Sequence, residues 1–125
     1  MLFRSQLTDL PSAPGTPGYS AAQEANRRLR IEGTRNLMLA AQTAGVRRAV
    51  AQSIAFIYAP GEGMRDEDDP LNLAADGVRQ STVQGIVALE RAVLATAGID
   101  GIALRYGYFY GPDTWYGLQI GRAHV

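Results

Sequence analysis

The chain has 125 residues, room for one small domain with a core of its own. Its twelve acidic and twelve basic side chains balance, so no net field draws it to nucleic acid or to an anionic membrane. Without cysteine it has neither a disulfide framework nor thiolate metal sites, and no apolar run approaches the roughly 18 residues of a membrane span. A cytoplasmic protein acting on a small molecule, with no nucleic-acid or membrane partner, is expected. All twelve basic residues are arginine, and lysine is absent.

In chain order, Gln6, Leu7, Thr8, Asp9 and Leu10 read as the end of a strand. A loop marked by Pro11, Pro14, Gly15 and Pro17 follows. Residues 22–44 are helical in pattern, with Leu29, Gly33, Leu37, Ala40, Ala41 and Ala44 recurring at three- and four-residue spacing on one face. Gly45 is placed to cap this helix in a left-handed conformation. A short strand over residues 46–53 comes next, then a polar loop containing Asp66, Glu67, Asp68 and Asp69. A second helix over residues 75–97 ends at Gly98, ahead of a strand over residues 101–106. Strands alternating with helices of this length predict an α/β fold, with about three parallel strands joined by two right-handed crossover helices. The second helix carries Val83, Ile86, Val87, Leu89, Val93 and Leu94, too many apolar positions for one face. It is expected to be buried on several sides, under a further part of the domain or in a homodimer formed through the two helices.

Both termini look foreign. Leu2-Phe3-Arg4-Ser5 and Ile120-Gly121-Arg122-Ala123-His124-Val125 are the translations of pieces of a common short-read sequencing adapter. Residues 1–5 and 120–125 are therefore expected to be adapter-derived scars around a domain portion at 6–119. The only histidine, His124, lies in one of them and is given no chemical role.

Four blocks in order carry a resemblance. They are Gly33-Thr34-Arg35-Asn36-Leu37 on the first helix, Ser53 to Tyr58 at a strand end, the acidic loop from Asp66 to Pro70, and Leu104-Arg105 through Gly111-Pro112. Together they resemble the extended short-chain dehydrogenase/reductase family, of the NAD-dependent epimerase/dehydratase type. The resemblance implies a partial Rossmann-like sheet, the C-terminal portion of an NAD(P)-binding domain. It implies NAD or NADP along the carboxyl ends of the strands. By position, Leu7, Thr8, Gln52, Ser53, Tyr106 and Gly107 would meet the cofactor.

The same resemblance shows where the chain departs from the family. The family's proton chemistry uses a serine with a tyrosine and a lysine four residues apart on the second helix, where i and i+4 share a face. The lysine lowers the tyrosine pKa. Aligned on Glu90, the tyrosine position holds Thr82 and the lysine position Ile86. Arginine does not replace lysine here, being a bulkier fork that stays charged. The serine position falls on Ile54, so Ser53 is one place early and on the opposite face unless a bulge intervenes. The family's helix asparagine is Arg30 here, with Asn26 a turn away. No Gly-x-Gly-x-x-Gly or Gly-x-x-Gly-x-x-Gly turn occurs near the start. The expectation is a fragment of an NAD(P)-dependent oxidoreductase whose usual acid/base pair is absent, inactive by itself, with Ser53 and Tyr58 the remaining candidates for chemistry. The alternative is a non-catalytic NAD(P)-binding regulator or redox sensor.

Other patterns carry less. Asp66 to Asp69 lacks the ligand spacing of a calcium loop. Tyr106, Tyr108 and Tyr110 alternate on one strand face, but no basic groove accompanies them for nucleic acid. Among the arginines of the first helix and third strand, Arg30 and Arg105 are candidates for phosphate contact.

Overall fold

The computed structural model describes residues 2–5 and 17–107. Three parallel strands form one sheet in the order β1 (Leu2–Ser5), β2 (Arg48–Ile54) and β3 (Asp100–Tyr106). The first connection contains α1 (Tyr19–Arg28), a π-turn over Leu29–Gly33 and α2 (Thr34–Thr43). The second contains a 3₁₀ turn (Ala55–Ile57) and α3 (Gly77–Ala95). The expected α/β class, parallel sheet and two crossover helices are all present. β1 is formed by Leu2–Ser5, residues expected to be foreign; the strand expected at Gln6 to Leu10 lies outside the described residues. No described helix is long and apolar enough to cross a membrane.

Sequential strand order with two crossovers of one hand lays both helices on the same face of the sheet. The core shows this arrangement. Met38 and Ala41 from α2, and Leu89 and Val93 from α3, pack with Ala49 and Ala51 of β2 and with Val46 and Ile99. In parallel register Ala49 sits beside Gly101, Ala51 beside Ala103 and Ser53 beside Arg105. The helix-facing side of β2 and β3 is therefore built mostly from small side chains. A Cβ added at Gly101 would overlap the Val93 carbonyl oxygen, so the backbones of α3 and β3 are in direct contact. The opposite face carries Val50, Gln52, Ile102 and Leu104 and is only half-buried among the described residues. A second, smaller cluster of Ile57, Val83 and Ile86 closes the carboxyl end of the sheet under Leu71 and Ala75.

The first helix buries a different face from the expected one. Asn26, Thr34, Met38 and Ala41 are buried, whereas Leu29, Ala40 and Ala44 are exposed. Within α2 the buried stripe of Thr34, Met38 and Ala41 shares Ala41 with the expected one and is turned away from Ala40 and Ala44, and the π-turn brings Asn26 into line with it. On an uninterrupted α-helix Asn26 and Thr34 would point about 80° apart, and one extra residue in the turn reduces this to about 20°. In α3 the buried positions are Val83, Ile86, Leu89 and Val93, while Leu94 is 56% exposed. Gly45 (φ 68°) follows α2 in a left-handed conformation, as expected, whereas α3 ends at Ala95 and Gly98 (φ 79°) lies in the turn after it, where the Ile99 amide donates to the Thr96 carbonyl.

Gly101→Ala is expected to lower stability by roughly 1–3 kcal/mol, because no flexible neighbour can move away from the new methyl. A Cβ at Gly107 meets nothing within 4 Å, so Gly107→Ala should leave the urea midpoint nearly unchanged. Equal midpoints for the two variants would contradict the close contact of α3 and β3.

Candidate functional site

β2 and β3 run in unbroken register from Arg48 beside Asp100 to Ile54 beside Tyr106, with no bulge between them. This places Ser53 and Arg105 side by side near the carboxyl end, facing α3. Glu90 projects from α3 onto the pair. The Ser53 hydroxyl donates to Glu90 Oε1 (2.5 Å). Arg105 grips the same carboxylate at both oxygens, Nε to Oε1 at 2.9 Å and Nη2 to Oε2 at 2.8 Å. Ser53 is 0% and Glu90 5% exposed. A buried carboxylate is tolerable here because a bidentate guanidinium and a hydroxyl satisfy it together.

Burial pushes the Glu90 carboxyl up, but the hydrogen bonds from Arg105 and Ser53 and the arginine charge outweigh it, so the net shift is downward. The Arg105 guanidinium is raised by its hydrogen bonds to Glu90 and works against a smaller desolvation effect. Arg105 also reaches beyond the carboxylate. Its Nη1 donates to the Tyr58 hydroxyl oxygen (2.9 Å), and its guanidinium carbon lies 5.0 Å from the centre of the Tyr58 ring. The same nitrogen approaches the Glu67 carbonyl at 3.4 Å. Tyr58 in turn pairs with Leu71 across an antiparallel bridge, and the Ala59 amide donates to the Pro70 carbonyl (2.8 Å), closing the acidic loop at its base. Within that loop Arg65 pairs with Asp69. No group of acidic or histidine side chains suited to a metal occurs among the described residues.

Ser53 and Tyr58 thus come together through Arg105, although neither sits where the family pattern puts its serine or tyrosine. The Ser53 hydroxyl is committed to Glu90. Tyr58 and Arg105 line a concavity of about 590 Å³ beside β3, together with Arg65, Asp66 and Glu67. Arg105 is not free for phosphate, because Glu90 occupies its fork. Gln52 and Tyr106 lie on the sheet face away from the helices, and Gly107 follows directly on β3, exposed. Leu7 and Thr8 lie outside the described residues. Thr82 hydrogen-bonds Gln23 of α1 (3.3 Å), and Ile86 is core. A second, mostly apolar groove of about 480 Å³ runs between the first helix and α3, past Ile31, Val83 and Val87, with Arg35 and Arg91 at its rim.

The Glu90–Arg105 pairing was not foreseen. In the sequence Glu90 serves only to align the second helix, and Arg105 is part of a motif and a candidate for phosphate contact. An acid fifteen residues ahead of an arginine has no periodic signature. A usable signal was the combination of a lone acid on an apolar helix with a lone arginine in an apolar strand, since each needs a buried partner.

No family model and no solved structure matches the chain. A curated protein of Streptomyces sp, named 3-diazoavenalumate denitrifying reductase, is 48% identical to it over 120 residues. These cover 94% of this chain and 38% of that protein.

Glu90→Gln is expected to cost about 3 kcal/mol at neutral pH, because it leaves the Arg105 charge without its partner. The depressed carboxyl contributes stability above the ~4.3 at which an unfolded glutamate titrates, and loses it as pH falls through the lower folded value. In urea unfolding the gap between wild type and variant should therefore close in acid. A gap that stays constant from pH 7 down to about 2 would show that the carboxylate charge is not what matters.

Proposed function

We propose that the chain is part of an NAD(P)-dependent reductase on a partial Rossmann-like sheet, related to the short-chain dehydrogenase/reductase group. Its substrate would carry a diazo group, and its reaction would need no tyrosine–lysine pair. The observation that carries this reading is the 48% identity, across nearly the whole chain, to a protein named as a reductase of a diazo compound. The parallel sheet supports it, since ligands of open α/β sheets bind outside the carboxyl ends of the strands.

The residues at that edge fit the nicotinamide end of a dinucleotide. Tyr106 is partly exposed there, and the backbone at Gly107 is approachable, a Cβ at that position meeting no atom within 4 Å. Leu7, Thr8 and Gln52 complete the proposed set, whereas Ser53 would act behind it by holding Glu90. A bound dihydronicotinamide would supply a hydride to the substrate carbon: R–N₂⁺ and H⁻ give R–H and N₂, which balances in atoms and charge without a proton. A carbonyl reduction, by contrast, needs an acid at oxygen, the task of a tyrosine with its lysine. Thr82 and Ile86 at those two positions suit the first reaction and not the second. For this chain, Tyr58 and Arg105 would shape the polar wall beside β3, and the acidic loop would border it.

Full-length protein supplied with NADPH deuterated at the transferring position and an aryl diazonium salt is expected to release N₂ and place deuterium on the ring carbon. In D₂O with ordinary NADPH, no deuterium should enter. Label arriving from solvent would rule out direct hydride delivery. A non-catalytic sensor is the second reading, favoured by the complete burial of the Ser53 hydroxyl. It predicts NAD(P)H binding with no turnover, and failure to bind either dinucleotide would eliminate both readings.

A further inference from the structure

Outside the Glu90 cluster one cation is sunk into the protein without a counter-charge. Arg30 lies in the π-turn and is half-buried, and among the described residues no acid or carbonyl pairs with it. Burial alone lowers its guanidinium pKa. Its stem packs where α3 has Gly85: a Cβ there would stand 3.4 Å from Arg30 Cδ and 3.1 Å from Arg27 Cα. Glycine inside a helix costs about 1 kcal/mol against alanine, so this close approach is bought with stability. One turn further on, Thr34 Oγ1 is buried with no hydrogen-bond partner. A π-turn takes more than four residues per turn, so Arg30 and Thr34 lie on one side of it. Two polar groups on one stripe therefore have no partner among the described residues.

Their height along the fold is also defined. Crossover helix α3 runs antiparallel to the strands. Glu90 meets Ser53 near the end of β2, and Gly85 lies five residues before Glu90, about 7.5 Å further toward the carboxyl side. Arg30 therefore stands at the edge of the sheet where ligands of this class of fold bind. A guanidinium offers a planar fork that takes carboxylate or phosphate in two parallel bonds.

We propose that Arg30 is the anchor for an oxyanion, a carboxylate or a phosphate carried by a ligand that enters at the carboxyl edge of the sheet. The assignment rests on reading that edge as the ligand edge. A phosphate would belong to the dinucleotide and a carboxylate to the substrate.

The test uses full-length protein, with inorganic phosphate, benzoate, uncharged benzamide and NADPH as probes in calorimetric titration and thermal melts. Wild type should bind at least one of the anions and not benzamide. Arg30→Gln should weaken that binding roughly tenfold or more, the scale of a lost charge-assisted pair. Arg30→Lys should keep part of it. A loss shared by phosphate and NADPH assigns the dinucleotide, and a loss confined to benzoate assigns the substrate. Without ligand, Arg30→Gln should melt at or above the wild-type temperature, because it removes an unpaired charge. A lower melting temperature, or unchanged binding of phosphate, benzoate and NADPH, overturns the proposal. Wild type that binds neither NADPH nor NADH sinks the dinucleotide reading separately, since the benzoate and phosphate titrations do not need it.

Discussion

The Glu90 carboxylate joins the pieces on which the site depends. It reaches from α3 to the ends of two strands, and Arg105 carries the connection on to Tyr58 and the base of the acidic loop. No apolar contact could do this, because none would fix the orientation of a ring and a loop together with the helix. The directional bonds fix them, and the desolvation cost is met by pairing each charge fully. The same pairing commits the Ser53 hydroxyl as a donor to Glu90.

That polar cluster fits inside a tightly packed layer because β2 and β3 beneath it present mostly alanine and glycine to the helices. Ala49, Ala51, Gly101 and Ala103 let α3 settle on the strands, and the larger Met38, Leu89 and Val93 fill the space between the helices. The long side chains of Arg105 and Glu90 come only toward the carboxyl end of the strands. The other face of the sheet, with Val50, Ile102 and Leu104, is what a parallel sheet ordinarily covers with a second layer.

Much of the fold was legible in the sequence. The alternation of apolar strands with long helices, and the glycines after each helix, located β2, α3 and β3 within a residue or two. The one-residue offset of Ser53 was also readable, and the unbroken strand register shows no bulge that would turn it back. The buried face of the first helix was not readable. A period of 3.6 residues per turn carries one phase along a whole helix, whereas the π-turn changes the phase halfway along this one, and nothing in Leu29-Arg30-Ile31-Glu32-Gly33 announces that change. The Glu90–Arg105 pair was hidden for another reason. It is a tertiary contact between two elements, and spacing along the chain does not encode it.

The π-turn also makes that helix sensitive to length. Removing a single residue between positions 29 and 33 would restore an ordinary helix and swing everything before it by about 100°. Asn26 would leave the core, and Gln23 and Glu24 would leave Thr82 and Ser81 on α3. Side chains along this segment can therefore drift over evolution far more freely than the number of residues can.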